Sequence, residues 1–111
     1  MRHLNPALLG LSLLCASSLA LAAPDVDAAK ALAKQNNCMK CHGLDKDKDG
    51  PSFKKTAEKY KGKADAEAKL VKHLTTGPKV KLPDGAEEEH KKVGTKDEAA
   101  IKNLVQYILA Q

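Results

Sequence analysis

Apolar residues recur at helical spacing in four stretches of the chain. Asp25 can cap a first helix that runs through Asn37, and a second, short helix is predicted from about Ser52 to Tyr60. The apolar face of the first helix consists of Val26, Ala29, Leu32 and Ala33. The second helix turns Phe53, Ala57 and Tyr60 inward.

Two further helices are predicted in the second half of the chain. Asp65 opens a helix that runs to Thr76, where the Gly-Pro pair at 77–78 stops it. The last helix is predicted to begin in a capping box, Thr95-x-x-Glu98. The apolar face of the third helix consists of Leu70, Val71 and Leu74. The last helix has an apolar stripe of Ala100, Ile101, Leu104, Val105, Tyr107 and Ile108.

The segments between these helices carry no strand pattern. No stretch alternates apolar and polar residues, and Val and Ile are scarce, so we expect an all-α fold. The loop after the first helix resembles a calcium-binding loop from Asp45 to Gly50, but Thr56 occupies the closing position that a Glu would fill. Calcium binding is therefore not expected.

The N-terminus has the features of a secretory signal peptide. A short basic start precedes an apolar run from about Ala7 to Leu21, which ends in the small-residue pattern Ala20-Leu21-Ala22. The alternative is an uncleaved membrane anchor, but the run is short and rich in Ser and Ala for a membrane span. We predict a signal peptide over residues 1–22 and a single domain over residues 23–111, periplasmic and without stable membrane insertion.

The composition of residues 23–111 indicates a domain that needs help to form a core. These 89 residues hold 18 lysines, 14 acidic residues and no arginine, and only three of them are aromatic. Small domains with so few large apolar side chains usually depend on disulfides, metals or cofactors. The scarcity of arginine and aromatic residues also argues against nucleic acid as a partner.

The run CMKCH at residues 38–42 carries the chemistry. Cys38 and Cys41 supply two thiols at a separation set by two spacers, and His42 follows directly, which is the pattern of covalent haem attachment. A zinc site would need four ligands from Cys38, Cys41, His42, His73 and His90. A thioredoxin-like pair would need a strand–helix context, and a disulfide would close only a very small loop. Haem attachment is the favoured interpretation.

With these motifs, the sequence resembles a short bacterial class I (monohaem) cytochrome c. The resemblance covers nearly all of residues 23–111: the first helix leading into CMKCH, Gly50-Pro51, a helix ending at Gly77, and a final helix reading LVQYIL. It implies three to five helices wrapped around one covalent haem c, with the first and last helices crossing near Tyr107. It also implies that Cys38 and Cys41 hold the haem, that His42 is an iron ligand, and that the Pro51 carbonyl accepts a hydrogen bond from His42.

The sequence departs from the family at the second axial ligand. Family members carry a Met in the loop before the last helix, whereas the only Met in residues 23–111 is Met39, between the two cysteines. His90 lies in the matching loop, and we predict that it replaces the Met. His73 is the rival ligand, and an open iron position is a further alternative. Lysine ligation is conceivable from Lys79, Lys81, Lys91 or Lys92.

Two ligands from the protein leave no vacant iron position for substrate chemistry. We therefore predict a monomeric one-electron carrier that docks on acidic surfaces of redox proteins, helped by its lysines. The alternative is a haem-based sensor or small-ligand-binding protein whose sixth position is open or displaceable. An enzyme is not expected, because no acid–base set is identifiable around an open position.

Overall fold

The computed structural model describes residues 23–111, so the predicted signal peptide lies outside the described part. The helices of this part are α1 (Val26–Gln35), α2 (Cys38–Cys41), α3 (Phe53–Tyr60), α4 (Ala66–Thr76) and α5 (Glu98–Leu109). Two short strands, β1 (Lys79–Lys81) and β2 (Glu87–Glu89), lie between α4 and α5. The predicted small fold of three to five helices is thus confirmed.

Helix α1 begins where the sequence predicts and ends slightly earlier. The Asp25 side chain accepts a hydrogen bond from the Ala28 amide at 3.0 Å, which caps the first turn. Asn37 has φ 55°, a left-handed conformation that Asn tolerates better than most residues. The prediction of one helix through Asn37 was therefore wrong, since α1 ends at Gln35 and the left-handed Asn37 separates it from α2.

Helices α3 and α4 agree with their predicted bounds to within one residue. The Ser52 hydroxyl accepts a hydrogen bond from the Lys55 amide at 3.0 Å and caps α3. Asp65 stands at the cap position of α4, but its carboxylate pairs with Lys69 at 3.0 Å instead of capping the backbone. Gly77 ends α4 with φ 59°, the left-handed conformation for which glycine is favoured at a helix C-terminus.

The expectation that no strand is present was wrong for the segment after α4. Strands β1 and β2 form an antiparallel hairpin in which Lys79 lies opposite Glu89 and Lys81 opposite Glu87. Opposite charges facing each other across a ladder stabilise it, so this hairpin does not need the alternation of apolar and polar residues that the search for strands required.

The start of α5 also differs from the prediction. Asp97, rather than Thr95, caps the helix, because its carboxylate accepts from the amides of Ala99 and Ala100 at 3.0 and 3.2 Å. The Thr95 hydroxyl accepts a hydrogen bond from the Asp97 amide at 3.1 Å and so supports the cap from two residues earlier. The predicted capping box is therefore not formed.

Helix α5 is the centre of the packing and contacts α1, α3 and α4. Its residues Leu104, Tyr107 and Ile108 form one buried cluster with Phe53 of α3 and two alanines of α1, Ala29 and Ala33. The side chain of Asn103 and the backbone of Asp25 exchange two hydrogen bonds, of 2.8 and 2.9 Å, which join the start of α1 to α5. Within residues 23–111, no helix is long and apolar enough to cross a membrane.

Candidate haem-binding site

The two cysteines are presented together by α2. Cys38 and Cys41 are three residues apart on this single helical turn, so their thiols lie on the same face. Both are free and half-buried. Burial raises the pKa of the Cys38 thiol, while a backbone hydrogen bond and the nearby Lys91 act in the opposite direction. The two thiols are therefore positioned together at the wall of a cavity.

His42 directly follows α2, and three neighbours hold its ring. The ring Nδ1 donates a hydrogen bond to the Pro51 carbonyl at 2.6 Å, so Nδ1 carries the proton and Nε2 keeps a free lone pair. The Phe53 ring stacks on it with centroids 5.6 Å apart. Gly50 packs so closely that an added Cβ would come within 2.6 Å of the ring carbon Cε1. The imidazole is therefore fixed in orientation and tautomer.

A cavity of about 800 Å³ opens beside these three residues. This volume lies within the range of about 300–1,000 Å³ that is typical of ligand and cofactor sites. Cys38, Cys41 and His42 line it together with Pro51 and both remaining histidines, His73 and His90. Its apolar wall comes from Phe53, Tyr60, Leu70, Leu74, Val80, Leu82, Val93, Leu104 and Ile108.

His90 lies at the same cavity, directly after β2. Its amide donates to the Pro78 carbonyl at 2.9 Å, which extends the hairpin ladder by one step. Its ring Nδ1 donates to the Lys91 carbonyl at 2.9 Å, so Nε2 again keeps the lone pair. The centroids of the His42 and His90 rings are 6.1 Å apart. Both histidines thus present the same free nitrogen while sharing one cavity.

His73, the rival ligand, projects from α4 toward His90. The two ring centroids are 4.4 Å apart at an interplanar angle of 62°, an edge-to-face contact. Burial lowers the pKa of both His73 and His90, and the neighbouring imidazoles lower it further. For His90 the hydrogen bond to the Lys91 carbonyl raises the pKa, but the net shift is still downward. Both rings are therefore favoured in the neutral form that can bind a metal ion.

The contacts of the three histidines separate them. Metal-binding histidines nearly always donate their second ring nitrogen to a carbonyl or carboxylate. His42 and His90 do so, and among residues 23–111 the ring of His73 has no hydrogen-bond partner. Of the four lysines considered as ligands, Lys81 and Lys91 line the cavity.

Sequence reasoning missed the edge-to-face contact of His73 with His90 and the stacking of Phe53 on His42, since both join residues that are distant in the chain.

The residues of this cavity fit a haem. An imidazole nitrogen binds a metal ion at about 2.0 Å, so two imidazoles on opposite sides of one ion have centroids roughly 6 Å apart. The 6.1 Å between the His42 and His90 rings matches that spacing. The cavity is large and mostly apolar, and two thiols stand at its wall, as a flat apolar group attached through thioethers requires.

Comparisons with known proteins point to the same group. A family model described as cytochrome c matches residues 26–111. Cytochrome c-551 of Pseudomonas aeruginosa is 34% identical over 67 residues, which are 60% of this chain and 64% of that protein. Cytochrome c2 of Rhodocyclus tenuis is 45% identical over 47 residues, 42% of this chain and 51% of that protein. The chain thus spans between about half and two-thirds of the length of these curated relatives.

Two crystal structures share the fold. The class 1 cytochrome MtoD from Sideroxydans lithotrophicus ES-1 superimposes with a TM-score of 0.77 at 67% identity, over 79% of this chain and 97% of that one. Cytochrome c552 of Nitrosomonas europaea gives a TM-score of 0.57 at 30% identity, over 72% of this chain and 95% of that one. The chain therefore belongs to the class I cytochrome c family, and its CMKCH run marks it as the carrier of one covalently bound haem c.

Proposed function

We propose that this protein is a periplasmic one-electron carrier whose haem iron is bound by His42 and His90. Members of the family are electron carriers, and the proposal extends that role to this chain with two histidine ligands in place of His and Met. The observation that carries it is the pair of histidines on one cavity, with centroids 6.1 Å apart and both Nδ1 atoms committed to carbonyls.

The residues of the site have separate tasks in this proposal. The thiols of Cys38 and Cys41 hold the group, which when bound supplies one-electron exchange at iron. The Pro51 and Lys91 carbonyls keep the two imidazoles in the tautomer that leaves Nε2 free. The apolar side chains around the cavity, such as Leu70 and Leu74, exclude water. With His42 and His90 both holding the group, little of the protein would have to move when the charge changes.

The lysines support docking on acidic redox proteins. Lys40, Lys55, Lys59, Lys81 and Lys91 lie at the cavity and are exposed, against the exposed acids Asp49, Glu88 and Glu89. This excess of positive charge surrounds the place where electrons would enter and leave. Opposite charge on a partner would speed the encounter. We propose that the protein acts as a monomer in such encounters, without nucleic acid or membrane as a partner.

The periplasmic location rests on the N-terminal sequence pattern. Residues 1–22 have the basic start, apolar run and small-residue end of a signal peptide, and haem is attached to such cysteine pairs outside the cytoplasm. The first residue of the protein recovered from the periplasmic fraction tests this, and we expect Ala23. A mature protein that retains Met1 in the membrane fraction would contradict it.

Carbon monoxide separates the carrier from a sensor. CO binds reduced haem iron only at a free position, so the reduced protein should respond slowly, at the rate at which the distal histidine leaves. Reduced His90→Ala should bind CO rapidly, because the substitution would leave the iron position vacant. The measurement is CO association followed by absorbance after rapid mixing. A rapid response of the unsubstituted protein would favour the sensor, and an equally slow response of His90→Ala would exclude His90 as the ligand.

A further inference from the structure

The segment that carries His90 is fastened to the end of α4 at several points. The His90 amide donates to Pro78 at 2.9 Å, and the Val93 amide donates to the Leu74 carbonyl at 2.9 Å. An added Cβ on Gly77 would come within 2.6 Å of the His90 carbonyl oxygen. The backbone on both sides of His90 is therefore held, but these contacts leave the rotation of its ring free.

Two contacts act on the ring itself. The Nδ1 hydrogen bond to the Lys91 carbonyl, 2.9 Å long, comes from the next residue in the chain and moves with the loop. The edge-to-face contact with His73, with centroids 4.4 Å apart, comes from a helix that packs on α5. The contact with His73 thus links the orientation of the His90 ring to the packed helices α4 and α5.

We infer that His73 is a positioning residue, whose ring sets the orientation of the His90 imidazole and slows its departure from the iron. The inference rests on the proposed ligation by His90. Edge-to-face packing of aromatic rings is favourable and depends on geometry, and both side chains are half-buried at the cavity wall. A ring at position 73 is what this role requires, whereas its nitrogen atoms have no hydrogen-bond partner among residues 23–111.

Three variants test the inference on the haem-loaded protein. His73→Ala removes the ring, His73→Phe keeps a ring without nitrogen, and Val71→Ala is a matched truncation of a half-buried residue on the same helix. We expect CO association with reduced His73→Ala to be about two- to tenfold faster, since the lost ring contact is of modest strength. The ferric EPR g values of His73→Ala should also shift. His73→Phe and Val71→Ala should stay close to the unsubstituted protein in both measurements.

The outcomes also separate this inference from the proposed function. If His73→Ala behaves like Val71→Ala, or if His73→Phe is as fast as His73→Ala, the ring of His73 does not position His90, and the ligand assignment is untouched. If His73→Ala loses the near-infrared signature of two histidine ligands, His73 is itself the ligand, and both the inference and the proposed ligation are wrong. A retained signature with faster CO association supports both.

Discussion

At the scale of single residues, the site depends on how tightly each imidazole is held. His42 is fixed by the Pro51 carbonyl, the Phe53 ring and the close approach of Gly50. The His90 ring is held by the Lys91 carbonyl and the His73 ring, and the close approach of Gly77 to the His90 carbonyl oxygen holds the backbone of His90. Each proposed ligand therefore has one carbonyl, one aromatic ring and one glycine against it, although the two sets come from different parts of the chain.

Gly77 gives the sharpest test at this scale. It has φ 59°, and an added Cβ would meet the His90 carbonyl oxygen at 2.6 Å, a contact that the backbone can relieve only by shifting. Gly77→Ala should therefore lower the free energy of unfolding by more than the about 1–2 kcal/mol that the left-handed conformation alone costs. It should also speed CO association with the reduced protein, because the shift moves His90. Denaturant unfolding and rapid mixing measure the two effects.

Gly62 provides the matched control for Gly77. It also has a positive φ, 75°, but an added Cβ would meet nothing within 4 Å. Gly62→Ala should therefore cost about 1–2 kcal/mol of stability for its conformation and leave CO association unchanged. Equal CO rates in both variants would mean that the end of α4 does not position His90.

The sequence alone could predict the site residues whose arrangement depends on their spacing along the chain. Cys38, Cys41 and His42 lie within five consecutive positions, so their arrangement follows from a single turn of backbone. The choice between His73 and His90 could not be made this way, because it depends on which ring finds a carbonyl for Nδ1. That partner is a backbone atom, and the sequence does not reveal its direction. Ligation by His90 stays a prediction.

At the scale of elements, helices were predictable and the hairpin was not. The four longer helices have apolar faces at a 3.6-residue period, which is visible without the fold. Strands β1 and β2 have three residues each, and their pairing depends on charges that face each other, such as Lys79 and Glu89. A run of three glutamates has no alternation to detect.

Helix starts show a related limit. Thr95 and Asp97 are both good capping residues, and the sequence allows a helix start at either. The Asp97 carboxylate accepts from the amides of two residues in the first turn, whereas the Thr95 hydroxyl accepts from the Asp97 amide, which precedes the helix. The choice depends on where the preceding loop places the chain, which the local sequence does not encode.

At the scale of the whole molecule, the core is small and much of its apolar surface faces the cavity. Among residues 23–111, only Leu104 and Val105 are large side chains with almost no exposure. Leu70 and Leu74 pack partly against the buried cluster and partly line the cavity. The composition of residues 23–111, with three aromatic residues, indicates too few large apolar side chains to fill a core. The structure shows this shortage as a cavity that the haem would fill.

The charge of the whole molecule predicts salt-dependent electron exchange. Lysines outnumber acids by 18 to 14 in residues 23–111, and five lysines lie at the cavity. Electron exchange with an acidic redox protein should slow several-fold as ionic strength rises, since the screening length falls from about 10 Å at 0.1 M to about 3 Å at 1 M salt. Stopped-flow oxidation measures it, with an uncharged small-molecule oxidant as the control. Equal, flat responses to both oxidants would mean that the lysines serve solubility alone.

Binding of one iron by two histidines is the central claim, and the near-infrared and low-temperature EPR spectra of the ferric protein test it most directly. The near-infrared charge-transfer band depends on the pair of axial ligands and separates two histidines from histidine with methionine or lysine. We predict the two-histidine band and a low-spin EPR spectrum for the unsubstituted protein. His90→Ala should lose both signals, whereas His73→Ala should retain the band. A histidine–lysine band, or a high-spin spectrum from a vacant position in the unsubstituted protein, would contradict the account.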